Sequence, residues 1–247
     1  MAAVERGPHP DSVLAGGERA VALTARRAAW GGDPPSSLAA LESCLRAPVA
    51  RVAVDLHLVD GLGFVVGDGP LPPSAHDRPP RLRDVVALVV AVPGPTTVEL
   101  RLAGTAPLTW ARTEELARLA TPAADRIVVT GKADWNLRRL RAVAPDLRVG
   151  FAPGLYLGRD PDRLAPRLVD AIRLVPGAHE VHLRLETFEA MLDEGVIDAA
   201  LIHRLGMRVS VGTLDTTTAR WRDRLTRAVE AGADMIATAT PRALARH

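Results

Sequence analysis

The chain has 247 residues, 47% hydrophobic and 24% charged, with a formal net charge of +2. That length suits one large α/β domain or two small ones, and the composition is ordinary for a globular protein. The near-neutral charge argues against nucleic acid or another polyanionic partner, the lone Cys44 precludes an intrachain disulfide, and no apolar run spans a bilayer.

Met1 to Gly17 lacks the basic-then-apolar order of a secretory signal, so residues 1–17 are expected to form a flexible leader to a domain at 18–247 in a cytoplasmic protein. Ala20 to Thr24 reads as a short apolar strand. After the turn Gly31 to Pro35, Ser36 and Ser37 are placed to cap a helix over Leu38 to Arg46, and its apolar spacing favours a buried Cys44. The next strand, Arg51 to Leu58, has two unlike faces. Val52, Val54, Leu56 and Leu58 make one, while Ala53, Asp55 and His57 make the other. An acid and an imidazole on the second face are either satisfied polar groups at a strand end or part of a site at a cleft, and the second reading is preferred.

Asp60-Gly61 turns the chain into a short excursion, Phe64 to Val66, followed by an irregular Pro/Gly-rich loop from Gly67 to Pro80. Leu82 to Val92 is apolar at helical spacing and Thr96 to Leu102 is a strand. Helices over Thr113 to Leu119, Trp135 to Val143, Asp162 to Val175, Phe188 to Leu205 (in segments) and Thr216 to Ala231 then alternate with strands. Those strands are Arg126 to Thr130, Leu147 to Phe151, Glu180 to Leu185, Met207 to Val211 and Asp234 to Ala237, and a stub from Pro241 ends the chain. Eight strand-helix units in this length predict a single (β/α)₈ TIM barrel. An open doubly wound sheet is the alternative, but no Gly-rich dinucleotide turn follows the first strand.

Barrel sites lie at the C-terminal ends of the strands. Those ends carry Arg26 and Arg27, Asp55 and His57, Glu99 and Arg101, Lys132, Arg184 and Glu186, and Asp215. Guanidinium forks match the oxygens of phosphate or carboxylate, so Arg26, Arg27, Arg101 and Lys132 are the candidate anion ligands. A ring of mutual ion pairs is the competing reading.

At these residues the chain resembles the glycerophosphodiester phosphodiesterase family, from about Ala20 to Leu244. Arg26-Arg27-Ala28 stands at the family's His-Arg-Gly, and Pro34-Pro35-Ser36-Ser37-Leu38 at its Pro-Glu-Asn-Thr-Leu. Ala53 to Asp60-Gly61 matches Glu-x-Asp-x-His/Gln-Leu-x-x-Asp-Gly, and Gly67-Asp68 matches its His-Asp. Glu99-Leu100-Arg101 matches Glu-Leu-Lys. Ala144 to Gly150 and Ala231 to Pro241 are similar to two later stretches, and Gly212 stands where the family has a tryptophan. The resemblance implies the barrel, phosphodiester hydrolysis and a divalent cation held by three carboxylates.

Both of the family's acid/base histidines are replaced, by Arg26 and Gly67, and one metal ligand is Ala53. An arginine cannot shuttle a proton. Asp55 and Glu99 remain as candidate ligands for Mg²⁺ or Ca²⁺, and His57 as a candidate catalytic group. The leading expectation is a barrel that binds a small phosphate-bearing or other anionic ligand, with hydrolysis weak or lost. A divergent Mg²⁺-assisted hydrolase or lyase using Asp55, Glu99 and His57 and a non-catalytic interaction scaffold are the alternatives.

Overall fold

The computed structural model describes residues 13–16, 19–28, 30, 33–67, 79–157, 164–195 and 199–245. In chain order its strands begin with β1 (Val13–Gly16), β2 (Arg19–Arg26), β3 (Arg51–Val59), β4 (Gly63–Val66) and β5 (Thr97–Leu102). They continue with β6 (Ile127–Gly131), β7 (Arg148–Phe151), β8 (Glu180–Arg184), β9 (Arg208–Gly212) and β10 (Met235–Thr238). Parallel pairing runs β2-β3-β5-β6-β7-β8-β9-β10, and β10 returns to β2. Eight parallel strands thus close into the (β/α)₈ barrel expected from the sequence. β1 and β4 lie outside the ring, each antiparallel to one neighbour.

The helices are α1 (Leu38–Leu45), α2 (Leu82–Ala91), α3 (Trp110–Ala120), α4 (Asp134–Val143), α5 (Gly154–Leu157) and α6 (Leu164–Arg173). After β8 come α7 (Leu185–Asp193) and α8 (Ala199–Arg204), then α9 (Trp221–Glu230) and α10 (Pro241–Leu244). Ser37 caps α1 by accepting from the Ala40 N–H at 3.1 Å, and Thr109 does the same for α3 from Arg112 at 3.2 Å. No helix among the described residues is long and apolar enough to cross a membrane.

Strand parity divides the molecule into two interiors. Val52, Val54 and Leu56 of β3, Val98 and Leu100 of β5, and Val209 and Val211 of β9 face outward and are fully buried beneath the helices. This aliphatic shell, with Leu41, Leu116, Leu137, Leu140 and Phe188 from the helices, is the main core. Inward positions are different: Arg51, Glu99, Thr130, Glu180 and Ser210 are all buried. The barrel is filled by polar and ionic contacts where aliphatic layers are the common solution.

Two boundaries depart from the sequence reading, and one expected loop is not described. Within the stretch expected to be a leader, Val13 to Gly16 pair with β2, from Val13 opposite Ala22 to Gly16 opposite Arg19. Backbone groups alone make such a ladder, so no hydrophobic pattern announces it. α9 starts at Trp221, because Thr218 N–H bonds back to Asp215 and Arg220 takes a left-handed φ of 54°. The loop expected from Gly67 to Pro80 lies outside the described residues over 68–78.

Gly150 on β7 shows how tightly the lumen is filled. A Cβ there would stand 2.7 Å from Glu180 Cγ, 2.9 Å from His182 Nε2 and 2.9 Å from Thr130 Cγ2. Gly150→Ala is therefore expected to lower stability by roughly 1–3 kcal/mol, the usual cost of overpacking. Chemical denaturation measures this, and an unchanged midpoint would mean that the lumen is looser than its contacts imply.

Candidate functional site

One ion pair crosses the barrel. Arg51 comes from β3, second in the ring, and Glu180 from β8, sixth and diametrically opposite. Arg51 Nη1 donates to Glu180 Oε1 at 2.5 Å and Nη2 donates to Oε2 at 2.9 Å. This is the paired fork that a planar guanidinium makes best. Two residues along β8, His182 places Nε2 2.9 Å from Glu180 Oε1. Arg208 Nη2 is 3.6 Å from Glu180 Oε2. On β5, Glu99 accepts the Thr130 hydroxyl at 2.9 Å, with His182 Nδ1 at 3.6 Å and Arg51 Nη1 at 3.9 Å.

Charge stabilises charge here. Burial alone would raise the Glu180 carboxyl, but Arg51 and His182 outweigh it and hold the group well below its ordinary range. Burial would lower the His182 imidazole, yet Glu99 and Glu180 raise it. The network thus sets a buried guanidinium and an imidazole whose charged form is favoured against two carboxylates.

Above it, a cavity of about 680 Å³ opens at the C-terminal ends of the strands. Register stacks its inward residues: Arg26 stands opposite Ala53, Ala53 opposite Glu99, and Asp55 opposite Arg101. Arg26, Asp55, His57, Arg101, Lys132 and His182 all line the cavity, and Arg184 and Glu186 stand on its rim. Arg26 Nη1 donates to the Thr213 hydroxyl, while its Nε is buried without a hydrogen-bond partner. Arg101 Nη2 lies 2.9 Å from Asp55 Oδ1, close enough for an ion pair. It is out of hydrogen-bond alignment, however, and Arg101 Nε and Nη2 and His57 Nε2 also lack acceptors. Burial and the nearby Arg101 charge lower Arg26 from its ordinary value, but an arginine stays charged. Buried donors without acceptors are costly, and these belong to residues around open space.

Other sequence candidates lie elsewhere. Arg27 is exposed and does not line the cavity. There the chain turns sharply, with left-handed φ of 57° at Arg27 and 52° at Ala28, and the Arg27 N–H bonds to the Ala53 carbonyl at 2.7 Å. Asp215 is occupied in its own loop, accepting from Thr238 Oγ1 at 3.1 Å and Ala239 N–H at 2.6 Å. Cys44 is buried, as its helical position implied, and burial pushes its thiol up to about 12.

The two carboxylates expected to hold Mg²⁺ or Ca²⁺ do not fit an ion. Asp55 faces Arg101, and Glu99 already has Thr130, His182 and Arg51 around it. Their register sets them one inward step apart, with Ala53 where a third carboxylate would complete the set. Ca²⁺ takes about 6–8 oxygens and Mg²⁺ a near-ideal octahedron. Among the described residues no group of three or more His, Cys, Asp and Glu is arranged to hold a metal ion.

Sequence reasoning missed Arg51, Glu180 and His182. The signal was available in the last two: Glu180, His182 and Arg184 alternate along β8 as Asp55 and His57 do along β3.

The sequence matches no protein-family model and no curated protein. Its shape is similar to a candidate glycerophosphodiester phosphodiesterase from Galdieria sulphuraria, 15% identical with a TM-score of 0.71, over 92% of this chain and 96% of that one. A glycerophosphodiester phosphodiesterase from Parabacteroides distasonis is 16% identical, with a TM-score of 0.67 over 92% and 95% of the two chains. An Oleispira antarctica phosphodiesterase, solved with the product sn-glycerol-3-phosphate, is 14% identical, with a TM-score of 0.59 over 90% and 94%. At these identities the similarity is one of fold.

Two outcomes follow from the network. Glu180→Gln leaves Arg51 buried without its charge partner and is expected to cost about 3–5 kcal/mol, whereas an Arg51→Met/Glu180→Leu double variant should lose less than the sum of its singles. Equilibrium unfolding tests both, and a loss under about 1 kcal/mol for Glu180→Gln would show the pair to be unimportant. The second concerns pH. A histidine whose value is raised by folding contributes stability that is complete below its ordinary value of 6.5 and lost as pH rises through the raised one. Relative to His182→Gln, the wild-type protein should therefore lose stability as pH climbs above about 6.5. Parallel pH profiles for the two proteins would contradict this.

Proposed function

With the barrel of the glycerophosphodiester phosphodiesterase-like fold family as the frame, we propose that the mouth binds a small phosphate-bearing or other anionic ligand. Hydrolysis of glycerophosphodiesters is weak or lost. The observation that carries this reading is that Arg26, Arg101 and Lys132 line one cavity, where Arg26 donates to the neutral Thr213 hydroxyl and Arg101 lies against Asp55. An anion in that cavity gains charge-assisted bonds from these groups. One structure with this fold holds sn-glycerol-3-phosphate, which is consistent with a mouth of this shape accepting such a group.

The loss of turnover rests on chemistry. Arg26 and Gly67 stand at the positions where the family resemblance implies acid/base histidines. General acid/base catalysis ordinarily contributes about a hundred- to ten-thousand-fold, and neither residue can supply it. Arg26, Arg101 and Lys132 remain at the cavity as binding groups. Arg27, exposed beside the mouth, adds to its positive field without lining it.

One feature favours a second reading. His182 is a cavity-lining imidazole held by a buried carboxylate, an arrangement that also suits proton transfer. Metal-dependent or metal-free phosphodiester turnover abolished by His182→Ala or His57→Ala would establish a divergent hydrolase.

Calorimetric titration with inorganic phosphate, sn-glycerol 3-phosphate and sulfate tests the first reading. Wild type is expected to bind at least one of them, with affinity falling as salt rises, and Arg101→Ala is expected to weaken binding about tenfold or more. Absence of binding at millimolar concentration, or an unaffected Arg101→Ala variant, would turn the assignment towards a scaffold whose charges serve only each other.

A further inference from the structure

We infer that the mouth takes its anion without a divalent cation, because Arg101, Arg51 and His182 already lie against the carboxylates that an ion would need. The inference rests on the anion-binding reading and specifies how that site works.

The inward carboxylates near the mouth are Asp55, Glu99 and Glu180, and each has a cation of this chain against it. Asp55 Oδ1 is 2.9 Å from Arg101 Nη2. Glu99 stands 3.6 Å from His182 Nδ1 and 3.9 Å from Arg51 Nη1, with the Thr130 hydroxyl on its Oε1 at 2.9 Å. Glu180 is taken by both nitrogens of the Arg51 fork. A divalent ion seated on Asp55 and Glu99 would have to lie among Arg51, Arg101 and His182, and like charges at such range in a partly desolvated site oppose it strongly.

His182 cannot simply swing away to admit one. Its Nε2 is anchored on Glu180 at 2.9 Å, Glu180 is fixed by a guanidinium from the opposite side of the barrel, and Gly150 leaves no spare room beside it. The ring nevertheless lines the cavity. The surrounding carboxylates favour its charged form. Arg26, Arg51 and Arg101 alone equal Asp55, Glu99 and Glu180 in number, so the lumen offers an ion no uncompensated carboxylate charge. Lys132 and Arg184, set against Glu186, add positive charge around the cavity.

The experiment is a set of calorimetric titrations on the full chain with inorganic phosphate, in EDTA and then in millimolar Mg²⁺ or Ca²⁺, alongside titration of the free protein with each cation. Phosphate affinity is expected to agree within about twofold across all three conditions, and the free protein is expected to give no saturable heat with either cation. His182→Gln should weaken phosphate binding about tenfold in EDTA. A tenfold or greater gain of phosphate affinity with either cation would overturn the inference while leaving the anion-binding reading intact. Should phosphate fail to bind in every condition, the anion-binding reading falls and the inference falls with it, whereas saturable binding of either cation to the free protein overturns the inference alone. A folded His182→Gln variant that binds phosphate like wild type would remove His182 from the site. If the variant does not fold, the wild-type titrations still decide the outcome.

Discussion

The contact between Arg51 and Glu180 sets the terms for everything inside this barrel. A fully buried guanidinium is tolerable only when a carboxylate meets it in good geometry, and here both nitrogens of the fork are matched at 2.5 and 2.9 Å. Because the partners come from the second and sixth strands of the ring, the pair acts as a strut across the lumen. Aliphatic layers would fill the same space with less electrostatic risk. A strut of this kind instead sets the distance between facing strands and makes the interior sensitive to the loss of either end.

From the strut the arrangement propagates upward through hydrogen bonds and one electrostatic contact. Glu180 fixes His182 two residues further along the same strand, and His182 reaches Glu99 on the third strand of the ring. Glu99 in turn holds Thr130 on the fourth. The mouth is thus built on a polar floor whose members have little freedom to reorient, since Gly150 is the position that leaves Glu180 and His182 their space. The side chains above that floor are less satisfied. Arg26 keeps one guanidinium nitrogen without an acceptor and Arg101 keeps two. Rigidity below and unmet donors above are what a preorganised anion site requires.

Much of the barrel was legible from alternation alone. Val52, Val54 and Leu56 against Ala53, Asp55 and His57 announced a strand with two unlike faces, and the structure puts the first in the helical shell and the second on the cavity. The repeated strand-helix rhythm announced eightfold closure. What stayed hidden is what depends on distant partners. Arg51 at a strand start reads as an ordinary boundary residue until Glu180, 129 positions later, lies against it. Glu180 and His182 carried the same alternation as Asp55 and His57, but in a segment without a recognisable motif. Arg27 follows the strand end directly in sequence, but left-handed residues at Arg27 and Ala28 turn the chain there and leave its side chain off the cavity lining. β1 gave no pattern because its pairing is a backbone matter.

For an anion at this mouth, Asp55 is a competitor as much as a neighbour. Its carboxylate already lies 2.9 Å from Arg101, so a ligand gains from Arg101 only the difference between its own interaction and that of Asp55. A monovalent carboxylate is nearly an isoelectronic replacement and gains little by that exchange. A phosphate with close to two negative charges and three acceptor oxygens offers Arg26 and Arg101, which line one cavity, more than a monovalent carboxylate does. On the proposed reading the internal pair acts as a filter on charge, because the acid that lies against Arg101 also sets the threshold that a ligand must exceed.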